Sequence, residues 1–439
     1  MLEIHFARIE AAPSGGDDVI VVPLTGAIRV LEYIPSPAGV SVTRTPGRRV
    51  GARPVASTVD NVTETLTLRA AGDVTLALRT LNQAMNMALE WSKQFRRDMR
   101  FVARLRDPDR HQEWFEAELF GGRVEMERAS GRVLRLTWER EPYWSGAEQI
   151  LMLRNTVTND YALTIYNHDD GGYGHDNFVI VDAPAGDVPT PARIKIRNTY
   201  TTTPASRLGA VRIGWYDRPH YLTLEGEASE LGPAIVYGAQ YGDGAQAVAT
   251  AYQWTLPQSN IVDYVGLFRV LANGYLQAGD WTMSAGYEMT RMQTGRAVAG
   301  ASGWTDLGLI SLPPGGYVRP FRYPMRIWLD GSAAGTLDYL MFMPIQQYRH
   351  LKFRGYNCLP GACIVDDGIR DELIYDFNGQ ALPVLDGYGD PIEVWPSGLL
   401  PGNRQQMLVF AMTSDTGGAA PLRTAEVQVT VRPRYNVVP

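Results

Sequence analysis

Cysteine and lysine are scarce in this 439-residue chain. Lysine occurs only at Lys93, Lys195 and Lys352, so arginine supplies nearly all the positive charge, and the net charge is −6. An acidic chain of this kind gives no support for a broad nucleic-acid-binding surface. The two cysteines, Cys358 and Cys363, flank the turn pair Pro360–Gly361. Two readings stay open there, a pair of reduced thiols or a disulfide closing a short loop. Two thiols with no second Cys pair and no His-x-His nearby cannot complete a tetrahedral zinc site. No stretch approaches the ~18 consecutive apolar residues of a membrane span. The first residues, MLEIHFARIEAAP, lack the charged start and apolar run of a signal peptide and read as a first strand, so synthesis in the cytosol without membrane insertion is expected.

Catalytic motifs are lacking too. There is no G-x-S-x-G, no P-loop, no G-x-G-x-x-G after a strand and no H-E-x-x-H. The carboxylates Asp366–Asp367, Asp371–Glu372, and Asp386 with Asp390 are paired in sequence, but Asp-Asp-Gly and Asp-Gly-Tyr-Gly-Asp read as turn formers. Between Asn167 and Asn177, His168, Asp169, Asp170, His175 and Asp176 are dense enough to suggest a metal, but the glycines among them supply no rigid frame. No catalytic residue, cofactor or metal site is assigned, and a non-enzymatic protein is expected.

What is present is one long amphipathic helix in a chain of strands and turns, predicted from about Val74 to Phe95. Leu78, Leu81, Met85, Ala88, Leu89, Ser92 and Phe95 recur at three- and four-residue steps along one stripe. Asp73 can cap its first turn, and Lys93, Arg96 and Arg97 suit its last. Arg79, Asn82, Gln83, Asn86, Glu90 and Lys93 form a polar outer face. A strand precedes it (Asn61–Arg69), and alternating segments follow at Arg100–Arg106, Trp114–Phe120, Arg123–Glu127 and Val133–Trp138.

The fold class is therefore mainly β, with a β-sandwich carrying one flanking helix and a further β domain. The predicted organisation is a first unit over 1–150, a linker or long loop over 151–176, a jelly roll over 177–345, and a C-terminal β segment over 346–439 that packs on it or forms a small domain. In the first unit a proline- and arginine-rich loop, Arg44–Ala56, is a candidate intersubunit arm carrying Arg44, Arg48, Arg49 and Arg53. In the second, Trp215, Tyr216, Tyr221, Trp254, Trp281, Trp304, Tyr317 and Trp328 are mainly core residues by their place on apolar strands. The loop Tyr216, Asp217, Arg218, His220 and Tyr221 is a candidate glycan-contact edge.

The strand–helix–strand order of residues 61–106, with the E-x-L-T-L-R strand before the helix and the R-L-T-W-x-R-x-x-Y-W ending after it, resembles tail proteins of long-tailed bacteriophages. Residues 177–345 resemble a galactose-binding-type jelly roll through GWTDLGLISLPPG and LDYLMFMP. The resemblance implies a distal-tail or tail-tube-like protein of the virion, assembled in the host cytoplasm. It further implies self-association in a ring, hexameric by that likeness, contact with other tail proteins, DNA only as passing cargo, and a β domain that touches host-surface carbohydrate. The chain is longer than a plain tube subunit, which favours the distal tail or baseplate. The alternative is a secreted carbohydrate-binding or carbohydrate-active protein in which the jelly roll is the functional part.

Overall fold

In a computed structural model, the residues described are 3–10, 18–36, 39–46, 52–93, 99–109, 113–127, 131–156, 158–167, 176–201, 207–218, 222–225, 235–236, 246–248, 251–256, 266–276, 281–287, 290–296, 302–312, 325–331, 335–353, 358–368, 373–377, 380–382, 385–400, 405–414 and 423–436. The chain is mainly β with a single α-helix among those residues. It divides into two compact units. Unit 1 comprises 1–149, 185–189 and 432–439, and unit 2 comprises 150–184 and 190–431.

Unit 1 contains β1 (Glu3–Glu10), β2 (Asp18–Pro23), β3 (Ile28–Ile34), β4 (Val40–Pro46), β5 (Ala52–Val59), β6 (Val62–Ala70), α1 (Val74–Lys93), β7 (Met99–Arg106), β8 (Phe115–Met126), β9 (Val133–Arg140) and β10 (Trp144–Ser145). The main sheet runs β2-β1-β7-β8-β9-β6-β3. Strict alternation on β6, with Val62, Leu66 and Leu68 inward and Thr63, Thr65 and Thr67 on the other face, makes it a half-buried strand. β8 is the long shared member: its first half pairs β7 and its second half β9, with a register shift between Leu119 and Gly121. Two glycines make that bend possible. Gly121 has a φ of +134°, and a Cβ on Gly122 would stand 2.7 Å from the Met85 sulfur on α1 and 2.7 Å from the Thr137 carbonyl. The helix crosses β8 where no side chain would fit.

Asp73 caps α1, its Oδ1 accepting from the Thr75 and Leu76 amides at 2.8 and 3.3 Å. The buried face is Ala77, Leu81, Ala84, Met85 and Ala88, a narrower stripe than the sequence suggested. Leu89 and Ser92 lie exposed, while Ala77 and Ala84 turn inward, because small residues let the helix sit close on β8. Phe95, Arg96 and Arg97 lie outside the described residues.

Unit 2 contains no boundary at 345. Its central sheet runs Asn159–Asp160, Leu153–Arg154, Phe178–Val181, Gln406–Ser414, Leu208–Tyr216, Tyr348–Phe353 and Leu385–Tyr388. Both faces of this sheet are covered. Met407, Val409 and Ala411 enter one core, shared with strands between 222 and 343, while Leu408, Phe410 and Met412 enter another, shared with Thr190–Asn198 and Ala425–Val431. Burial on both sides is why MLVFAM reads as an unbroken apolar run. Where composition suggested a linker over 151–176, Leu151, Leu153, Leu163 and Ile165 belong to the second core. The polar residues around them are absorbed by local bonds: Asp176 accepts from the Thr156 amide and hydroxyl, and the Asn167 amide exchanges two hydrogen bonds with the Met412 backbone at 2.7 and 2.8 Å.

Candidate functional site

Two inward positions of unit 1 break an apolar alternation, Glu64 on β6 and Arg140 on β9. They are also members of the two sequence patterns quoted above. Glu64 and Arg140 are fully buried and joined at 2.6 Å. Glu64 further accepts from the Tyr33 hydroxyl at 2.9 Å and the Ser36 amide at 3.1 Å. Arg140 donates to the Glu141 and Pro142 carbonyls, and its guanidinium lies 4.8 Å from the Trp144 ring centroid. Burial, then the Glu64 carboxylate, pushes the Tyr33 phenol above its ordinary value, so it stays a donor. The network ties the edge strand β3 to the last strands of the unit. Its signal was legible in sequence as two charges in the apolar phase of Val62–Leu68 and Leu134–Arg140.

A second charged cluster closes the unit around its discontinuous C-terminal piece. Arg434–Tyr435 pairs with β10, and the Tyr435 ring meets Phe115 edge-on at 5.3 Å. Glu116 accepts from Arg104 at 2.7 Å and from Arg432 at 2.7 Å. Burial alone would raise its carboxyl, but Arg432 and Arg104 outweigh burial and hold it below the ordinary carboxylate value. Its contribution to stability is therefore present above the ordinary carboxylate range and is lost as pH falls through the lowered value. Thermal unfolding should show Glu116→Gln clearly less stable than the native chain at neutral pH, with the difference closing below about pH 4. An equal difference at both pH values would contradict this.

Of the arm residues, Arg44 lies on β4 and Arg53 on β5, which form a two-stranded ribbon with Arg44 opposite Pro54 and Thr45 opposite Arg53. Within the stretch expected as a loop, residues 44–46 and 52–56 are thus paired strand, because Val40–Thr43 and Val55–Val59 carry β-branched residues. Arg48 and Arg49 lie outside the described residues. Among those residues the ribbon pairs with no other strand. At its root, Ile34 on the edge strand β3 and Val59 are exposed, and Leu31 occupies a β-bulge on the same edge. An apolar groove of about 220 Å³ lies near the start of α1, lined by Val21, Val22, Pro23, Ile28, Leu76 and Thr80. Leu76 is 59% exposed there.

The candidate glycan loop fares differently residue by residue. Tyr216 is buried and its hydroxyl donates to the Phe342 carbonyl, so its ring belongs to the core. Asp217 and Arg218 pair with each other at 2.9 Å, partly exposed. His220 and Tyr221 lie outside the described residues. Trp215, Trp254, Trp281, Trp304 and Trp328 are buried, and Tyr317 lies outside the described residues. Cys358 and Cys363 are free and buried, and burial pushes the Cys358 thiol up to about 12. Of the carboxylates, Asp366 pairs with the buried Arg349 at 2.8 Å. No group of three metal-ligating side chains occurs among the described residues, and His168, Asp169, Asp170 and His175 lie outside them. No helix among the described residues is long and apolar enough to cross a membrane.

No family model matches the sequence, and no curated protein does. Among solved structures, the Dit (gp 19.1) protein of phage SPP1 aligns over 97% of this chain and 98% of its own, at 8% identity and a TM-score of 0.31. The phage P2 baseplate in its calcium-activated conformation aligns over 97% of both chains, at 9% identity and a TM-score of 0.27. The T=1 particle of infectious bursal virus covers 66% of this chain and 79% of its own, at 8% identity and a TM-score of 0.14. Scores this low carry no weight for fold or function.

Proposed function

We propose that the chain is a non-enzymatic structural component of a bacteriophage tail, placed at the distal tail or baseplate. Unit 1 forms a ring, hexameric by its sequence resemblance, around the channel through which DNA passes, and unit 2 contacts the host surface. The observation that carries this reading is the β4–β5 ribbon. Two strands alone are marginal in water, and an edge strand with exposed apolar residues invites pairing with another chain. A ribbon leaving the sheet at such an edge is supported most simply by a second copy of the same unit. The apolar groove at Leu76 is a further surface that a neighbour can cover.

Static light scattering and negative-stain imaging test the proposal. The native chain should give large symmetric multimers. Replacing residues 42–57 by a short turn should return it to a monomer with its main thermal transition intact. Leu76→Asp, on an exposed side chain, should weaken multimers by about tenfold or more in concentration without unfolding the unit. A native chain that stays monomeric at high concentration would overturn the assembly.

A further inference from the structure

Within unit 2 one face of the central sheet carries a group of polar donors beside the first core, to which Tyr348 belongs. Arg212 on Leu208–Tyr216 stands directly opposite His350 on Tyr348–Phe353, and His350 stands opposite Tyr388 on Leu385–Tyr388. Directly opposed residues share a face. Tyr348 lies on that face two residues before His350. From the neighbouring sheet comes Arg269, whose guanidinium carbon lies 5.3 Å from the Tyr348 ring centroid. Arg269 is paired with Asp306 at 2.6 Å. Lys352 and Asp386 face each other at the rim.

Five of these side-chain atoms are shielded from solvent without a hydrogen-bond partner: Arg212 Nε and Nη1, Arg269 Nε, Tyr348 Oη and His350 Nε2. Tyr348 is itself only 4% exposed. Its hydroxyl lies beside the Arg212 guanidinium. Buried donors left unused are costly, and here they converge from three strands. Burial, then the Arg212 charge, pulls the His350 imidazole down to about 4, so at neutral pH it is uncharged and able to donate one N–H. The Asp306 carboxylate is engaged by Arg269. Beside the group, Tyr388 is 55% exposed, its ring 5.8 Å from that of His350.

We propose that this face binds the oxyanion of an acidic saccharide, a carboxylate or phosphate held by Arg212, Tyr348 and His350 with the sugar ring against Tyr388. A guanidinium edge presents paired N–H groups that match two oxygens of such a group. An exposed phenol face beside it suits the apolar face of a pyranose. The site gives the host-contact part of the proposed function a ligand class, and so rests on unit 2 being the contacting unit; it does not rest on ring assembly.

Isothermal titration of the full chain with glucuronic acid, glucose 6-phosphate, glucose and inorganic phosphate tests it. One or both acidic sugars should bind saturably and glucose should not. Arg212→Gln should lower that affinity by about tenfold or more. Tyr388→Ala, on an exposed side chain, should lower the affinity for the acidic sugar and leave inorganic phosphate unchanged. If Arg212→Gln fails to fold, Tyr388→Ala decides alone. Inorganic phosphate binding as tightly as the sugars, with no effect of Tyr388→Ala, would overturn the saccharide assignment. Absence of binding by every acidic probe would overturn the site. Assembly is read by light scattering and sugar binding by calorimetry, so each can fail without the other.

Discussion

Leu81→Asp is expected to leave unit 1 unfolded, with loss of its thermal transition and of soluble yield. Leu81 is fully buried on α1, in one core with Leu66, Leu68, Leu119, Leu134, Leu136 and Trp138. Truncating such a leucine to alanine costs about 2–5 kcal/mol. An aspartate adds a carboxylate in an apolar site with no partner, a further cost of several kcal/mol unless it takes up a proton. The sum is comparable to the ~5–15 kcal/mol by which a whole domain is stable. Differential scanning calorimetry and circular dichroism check it. A soluble variant that keeps the native melting temperature would mean that α1 is not packed on the sheet. Leu76→Asp is the matched control five residues earlier, and it should fold.

The second large effect concerns Glu64 and Arg140. Arg140→Leu should destabilise unit 1 by about 3–5 kcal/mol, because Glu64 is left charged and buried without its counter-ion. The carboxylate keeps the Tyr33 hydroxyl and the Ser36 amide, which soften the loss without neutralising the charge. The double variant Glu64→Leu with Arg140→Leu should recover a large share of it, since apolar replacement of a whole buried pair is often tolerated. A double-mutant cycle in chemical denaturation measures both. Strict additivity of the two single changes would show that the pair is not coupled. A loss below about 1 kcal/mol for Arg140→Leu would place the pair in solvent, as for a surface salt bridge.

Local pattern made some features legible and left others hidden. The helix was readable because its cap and its 3.6-residue period are written in neighbouring residues, and Asp73 and Leu81 occupy the places the pattern assigned. Its exact buried face was not readable. Period alone cannot say how deeply each side chain sinks: Leu89 stays 41% exposed although it lies over Gly121 of β8, while Ala84 is fully buried. The arm was visible as a basic, proline-rich insertion, whereas its pairing as a ribbon depends on register between Val40 and Val59. Tyr216 was drawn toward the loop by the polar residues that follow it. Its hydroxyl instead closes on a carbonyl more than a hundred residues away.

The donors around Arg212 were invisible for the same reason. Arg212, Arg269, Asp306, His350 and Tyr388 are spread over strands that the chain visits far apart, and each alone is an ordinary surface residue by type. The divided boundary of unit 1 is likewise a tertiary fact: Arg432 reaches Glu116 across 316 positions.

By itself, then, the sequence determined the β character of the chain and the capped helix that follows Asp73, both of which follow from short-range periodicity and composition. Only the tertiary structure decided which strands share a sheet, that one sheet of unit 2 is buried on both faces, and which charges meet, because those outcomes depend on long-range pairing that carries no local signal.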